Sequence, residues 1–194
     1  MLTKLGKILS DNIVGYGGNK KFGFLPIIDN NSITCNIETK DYGGNTRYIS
    51  PSLYDVGYSY IKNAVSISGS ASDGIVVGSG DTPASEDDYT LENKINGLDG
   101  TISSQASYFD ATDKCYYSIY TLTLSNNTGE SVTINEYGRI VSAEAASTKG
   151  GTRSNNRYAF LVERVVLDAP LVIPAGESSV LEYRINFPTV EDTE

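Results

Sequence analysis

The chain has 194 residues, a formal net charge of −9 and no histidine. This length allows one sizeable core and is short for two full domains. Nucleic-acid binding needs clustered Lys and Arg, which an acidic chain does not offer, and the lack of histidine excludes Ser-His-Asp and Cys-His nucleophiles and histidine-containing metal sites. The 19 glycines, 14 tyrosines and absent tryptophan are typical of an all-β protein rich in turns.

Residues 1–18 are predicted to form a helical arm ahead of a single β domain at residues 19–194. Apolar residues recur in the arm at spacings of three and four, which indicates a short amphipathic helix ended by glycines. Such a helix is not stable alone, so it packs on its own sheet, docks on a partner or lies on a membrane surface. Its apolar side is formed by Leu2, Leu5, Ile8, Leu9 and Ile13.

Targeting and redox signals are few. No run approaches the roughly 20 apolar residues of a transmembrane helix, and the first residues lack the apolar core and cleavage site of a signal peptide. We therefore expect no secretion and no membrane partner. Cys35 and Cys115 are too far apart for a CxxC motif, so they are two buried thiols or one disulfide.

Residues 19–60 contain one short alternating strand around Cys35, a loop at 41–45 and many tyrosines. Tyrosine offers a large contact area with few rotatable bonds and a polar tip, which suits protein interfaces. Tyr42, Tyr48 and Tyr54 are therefore candidate partner-binding residues, and packing within an ordinary β domain is the alternative.

Two further strands are predicted at 64–68 and 74–78, followed by an acidic loop at residues 78–92. Glycine, proline and five acidic residues exclude a regular strand here, so the segment is an ordered loop or a linker whose end is pinned by Tyr89 and Leu91. Asp81, Asp87 and Asp88 suggest a calcium site, but their spacing does not match a calcium-binding loop motif. A solvated or helix-capping acidic loop is the alternative.

The segment from 116 to 187 predicts paired strands most clearly. Residues 116–124 alternate in aromatic and β-branched side chains, and the polar turn after them is expected to return residues 131–136 against the first strand. Residues 158–167 and 180–187 continue the sheet, while 143–156 are expected to form a long exposed excursion. We predict an antiparallel β-sandwich of immunoglobulin-like or jelly-roll-like type.

Three segments resemble a signature of small structural proteins of tailed bacteriophages, including those of gut phages. The first is residues 75–83 (IVVGSGDTP) followed by 87–92 (DDYTLE), the second is 135–138 (NEYG), and the third is 160–177 (FLVERVVLDAPLVIPAGE). The resemblance covers about residues 75–187. It implies a β-sandwich virion component without enzymatic activity or cofactor, placed at the tail, collar or capsid surface.

On this hypothesis the protein is a structural subunit of the tail or head-to-tail region, located in the virion and, during assembly, in the host cytoplasm. Its partners are portal, collar, tail or capsid subunits and further copies of itself, with no nucleic acid. The expected subunit contacts are the apolar side of the helix and, in the acidic loop, Asp81, Asp87, Asp88 and Tyr89.

Two other classes of function are open. The tyrosine-bearing loops and the excursion 143–156 could form the recognition surface of a receptor- or glycan-binding module, such as a tail fibre or capsid decoration protein. A carbohydrate-active enzyme would need a pair of carboxylates, and nothing singles out a pair among the 24 acidic residues.

Overall fold

The computed structural model describes residues 1, 34–35, 37–49, 66–67, 74–112, 115–152 and 156–188. The regular structure of this part is all β, without a helix, which confirms the predicted class. The predicted N-terminal helix, with Leu2, Leu5, Ile8, Leu9 and Ile13, lies outside the described residues, as does Tyr54. No helix long and apolar enough to cross a membrane occurs in the described ranges.

The strands are β1 (Thr34–Cys35), β2 (Ile37–Lys40), β3 (Thr46–Ile49), β4 (Ser66–Ile67), β5 (Gly74–Gly78), β6 (Leu98–Asp110), β7 (Cys115–Asn126), β8 (Val132–Glu144), β9 (Gly151–Thr152), β10 (Arg157–Ile173) and β11 (Ser178–Pro188).

The long strands are arranged in two sheets within the described part of the chain. One sheet has the order β10-β8-β5-β4 and the other has the order β11-β7-β6, while β1 pairs with β9 and β2 with β3. All of these pairs are antiparallel except β4 with β5. The strand expected at 74–78 is thus present as β5, and the two described residues of the strand expected at 64–68 form β4.

Both long sheets contribute to one hydrophobic core. Leu122 and Leu124 of β7 and Tyr183 of β11 pack in the same cluster as Val141 of β8 and Phe160 of β10. The alternation predicted for residues 116–124 is confirmed over 119–124, because Tyr120, Leu122 and Leu124 are fully buried and the threonines between them are only half-buried. Burying each large apolar side chain contributes about 1.5–3 kcal/mol, so this shared core is the main stabilising contact between the sheets.

The predicted hairpin between β7 and β8 is wrong. β7 pairs with β6 and β11, whereas β8 pairs with β5 and β10, so the chain crosses from one sheet to the other between Asn126 and Val132. It crosses back between Ile173 and Ser178. A crossing needs the same turn residues as a tight hairpin, including glycines with positive φ at Gly129 and Gly176, so local sequence does not separate the two.

Asn126 joins these two crossings. Its side chain is fully buried, and its Nδ2 donates to the carbonyl oxygens of Glu130 at 2.7 Å and Ile173 at 2.8 Å. Its backbone N–H donates to the Glu177 carbonyl, and its own carbonyl accepts from Gly176, each at 2.9 Å. One asparagine therefore satisfies polar backbone groups of both turns where the sheets meet.

The expectation of an exposed excursion at 143–156 is wrong for its first part. β8 continues through Glu144, and the alanines at 143, 145 and 146 are buried. Ala146 exchanges two backbone hydrogen bonds with Tyr48, at 2.8 and 2.9 Å, and β9 pairs with β1. Small side chains let these backbones approach closely. The exposed part of the described segment is at 147–150, 152 and 156.

Candidate partner-binding surface

A buried carboxylate, that of Glu136, organises the acidic loop. Glu136 lies on β8 and is fully buried. Its Oε1 accepts hydrogen bonds from the backbone N–H groups of Gly80 at 3.2 Å and Asn93 at 3.0 Å. Its Oε2 accepts from the backbone N–H of Glu92 at 3.3 Å and from Nε of Arg164 at 2.7 Å. Four donors thus replace the water that this charge loses on burial.

Arg164 of β10 is the positive partner, and it is 3% exposed. Its Nη1 donates to Asp88 Oδ2 at 3.0 Å, and its Nη2 donates to the carbonyl of Thr82 at 3.2 Å and lies 3.6 Å from Glu92 Oε2. Burial alone would lower the pKa of the guanidinium, but the bonds to Glu136 and Asp88 outweigh it, so the pKa is raised. Arg164 is therefore the charge around which the loop carboxylates gather.

The acidic loop also contains its own hydrogen bonds. Glu92 Oε2 accepts from the backbone N–H of Thr82 at 3.1 Å and from its hydroxyl at 2.8 Å, and these bonds lower the pKa of Glu92. Asp88 Oδ2 accepts from the backbone N–H of Ser85 at 2.8 Å. Residues 78–92 are thus an ordered loop, which decides between the two alternatives that the sequence left open.

Two glycines of the loop allow the close approach to Glu136. A Cβ atom at Gly80 would lie 2.7 Å from Glu136 Oε1, and one at Gly78 would lie 2.7 Å from the carbonyl of Asn93. Both positions therefore need a residue without a side chain. The sequence signal for this close approach is the position of Gly78 and Gly80 directly before a run of acidic residues.

Leu91 fastens the end of the loop, as the sequence predicted. It is 3% exposed and packs on Val76, Ile140 and Leu161 in a small apolar cluster separate from the main core. Tyr42 packs against the same cluster from the turn between β2 and β3. Burial raises the pKa of the Tyr42 phenol, against the lowering effect of the neighbouring Thr90 and the Leu91 backbone.

Those tyrosines expected to bind a partner that lie in the described residues have structural contacts. The backbone N–H of Tyr42 donates to the carbonyl of Ala159 at 2.7 Å, and Tyr48 is half-buried on β3. Tyr89 lies over Gly44, and Lys40 Nζ is 4.6 Å from the centroid of the Tyr89 ring. Tyr42 and Tyr89 therefore join the acidic loop to the β2–β3 turn.

The structure separates the acidic residues that the sequence grouped. Asp81 and Asp87 are exposed at the surface of the loop, while Asp88 is half-buried and bonded to Arg164. Among the described residues, no three His, Cys, Asp or Glu side chains are placed so that they could hold a metal ion. The outward acidic side of a fixed loop, including Asp81 and Asp87, is thus the part of this site that a partner can reach.

The first residue of the chain pairs with the backbone of β10. The terminal amine of Met1 donates to the carbonyl of Arg164 at 2.6 Å, and the N–H of Arg164 donates to the carbonyl of Met1 at 3.0 Å. The first residue of the predicted arm is therefore placed on β10, next to the residue that holds the acidic loop.

A second surface, on the β6-β7-β11 sheet, was missed. Tyr108 stacks on Tyr117 with ring centroids 5.4 Å apart, and the guanidinium of Arg184 lies 3.9 Å from the centroid of Tyr117. Tyr108 is 49% exposed and its neighbour Phe109 is 53% exposed. The alternation of β7 and β11 already placed Tyr117 and Arg184 opposite the core positions, but the pairing of their strands was not predicted.

No protein-family model, no curated protein and no solved structure matches this chain.

Proposed function

We propose that this protein is a non-enzymatic structural subunit of a tailed-bacteriophage virion, in the tail or head-to-tail region, and that it assembles through subunit contacts. We further propose that its two long sheets form an immunoglobulin-like β-sandwich. One observation carries the proposal: the three sequence segments that resemble phage structural proteins meet at the Glu136–Arg164 pair.

The meeting of these segments has a physical basis. Gly80, Asp88 and Glu92 come from the first segment, Glu136 from the second and Arg164 from the third, and hydrogen bonds or ion pairs join them. A likeness spread over about a hundred residues thus corresponds to one three-dimensional unit.

The sandwich assignment is supported by the shared core and by the two crossings between the sheets. Both are features of folds in which two antiparallel sheets pack face to face. The alternative jelly-roll type has the same layers with a different strand order.

One proposed subunit contact is a surface that is fixed before a partner arrives. Asp81 and Asp87 sit on a loop held by buried charges, so little conformational entropy is lost when a basic partner docks there. The predicted helix of residues 2–13 is the second contact. A short amphipathic helix gains its stability from the apolar surface on which it docks, so it contributes at assembly.

The arm can be tested by placing charges on its apolar side. The double variant Leu5→Glu and Leu9→Glu should remain folded by circular dichroism but fail to enter particles when it replaces the normal protein in its phage. The double variant Lys4→Gln and Lys7→Gln changes the polar side of the same helix and should assemble. Normal incorporation of the leucine variant would contradict the proposed contact.

A receptor- or glycan-binding module is the second candidate, and the Tyr108–Tyr117 stack favours it. An exposed aromatic ring beside an arginine offers an apolar face and hydrogen-bond donors to a sugar ring. Tyr108→Ala should abolish binding on a glycan array, while Val180→Ala on the same sheet should not. An array on which the unchanged protein binds nothing counts against this function.

A further inference from the structure

We infer that residues 80–93 form a lid that opens as one unit from the outer side of the β8–β10 sheet while the two long sheets stay folded. This inference concerns a conformational property of the chain and does not depend on the proposed function.

The lid covers a small apolar area. Val76, Ile140 and Leu161 form a cluster apart from the main core, and Leu91 is the lid's buried apolar contact with them. Most other lid side chains are exposed or half-buried. The apolar contact that would hold the lid is therefore much smaller than the contact that holds the sheets together.

The lid is attached mainly through charged groups. The backbone N–H groups of Gly80, Glu92 and Asn93 all donate to Glu136, and Asp88 pairs with Arg164. Three of these contacts share the carboxylate of Glu136, which is itself paired with Arg164 at 2.7 Å, so a change in either charge weakens the attachment as a whole. This dependence makes the lid cooperative.

The lid ends at defined positions. Below it, the N–H of Ser79 donates to the carbonyl of Asn93 at 2.8 Å, and the N–H of Ile95 donates to the carbonyl of Val77 at 2.9 Å. Gly97, with φ of 85°, separates this paired base from β6. The two backbone hydrogen bonds of the base can persist when the lid opens, so the opening does not have to spread into β5 or β6.

Hydrogen exchange of the backbone amides tests the inference on the unchanged protein. The amides of Gly80, Glu92 and Asn93 should exchange together, at least about tenfold faster than the amide of Leu122 in the core strand β7. Their exchange should also depend only weakly on low denaturant concentrations, because a local opening exposes little surface. Exchange of lid and β7 amides at one rate, with one denaturant dependence, would overturn the inference.

A variant adds a second readout. Leu124→Ala lies in the main core, which stays folded when the lid opens, so it should raise the exchange of the Leu122 amide at least about tenfold while that of the lid amides changes by less than about threefold. Val180→Ala, at an exposed position on the same sheet, is the control and should leave both rates unchanged. If Leu124→Ala accelerates the exchange of lid and core amides equally, the lid is not a separate unit.

Discussion

Replacing Glu136 by glutamine should destabilise the protein strongly although the side chain keeps its size. The amide oxygen can still accept from Gly80 and Asn93, but the amide nitrogen then faces the N–H groups of Glu92 and Arg164. One buried and one partly buried donor lose their acceptor, and Arg164 loses its closest negative partner.

The expected loss in the free energy of unfolding follows from the burial of the Glu136–Arg164 ion pair. Breaking a buried ion pair by removing one charge typically costs 3–5 kcal/mol, and Arg164 keeps its bond to Asp88 at 3.0 Å, so we expect the lower end, about 3 kcal/mol. For a chain of this size that corresponds to a fall in Tm of about 6–12 °C.

Urea unfolding followed by far-UV circular dichroism and tyrosine fluorescence measures this change. The midpoint should fall with an unchanged slope, since the native fold and its buried area are kept. Glu182→Gln removes the same charge from an exposed position on β11 and should stay within about 0.5 kcal/mol of the unchanged protein. A loss below about 1 kcal/mol for Glu136→Gln would refute the idea that this carboxylate holds the loop.

Three further changes test other parts of the structure. Asn126→Ala should lower the free energy of unfolding by about 2–3 kcal/mol in urea, because the carbonyl of Ile173 loses a buried donor. Gly78→Ala should cost about 1–3 kcal/mol in the same assay, because the new methyl group overlaps the carbonyl of Asn93. Burial, with the nearby charge of Glu163, raises the pKa of Tyr137 to about 12. The stability that this phenol contributes to the folded state is therefore present below about pH 10 and is lost as the pH rises towards 12. A Tyr137→Phe variant should lose that part of the alkaline stability decrease, as followed by circular dichroism.

The strands could be predicted from sequence wherever one face is buried. β7 and β11 alternate between core and outward positions, and this period of two is a local property of the chain. The partners of each strand are not local. Residues 126–132 carry the turn chemistry of a hairpin. What marks a crossing between sheets is a contact far along the chain, the hydrogen bond from the Asn126 side chain to the carbonyl of Ile173.

The site, like the fold, could be predicted from the sequence only where its signal is local. The pinning of the acidic loop through Leu91 followed from an apolar residue at the end of a polar run. The roles of Glu136 and Arg164 did not, since a charged residue in an alternating strand is normally expected to face water. Burial of both charges requires that β8, β10 and the loop come together, and no single segment of sequence contains that information.

The crossings between sheets also affect how the chain is made. Ser125 on β7 faces Ser178 on β11, 53 positions later, so the three-stranded sheet stays incomplete until the last strand has left the ribosome. Pairings of this range close slowly because a long stretch of chain must be ordered first. Until then β7 exposes an unpaired edge, and a nascent or truncated chain ending before β11 is the species most prone to aggregate.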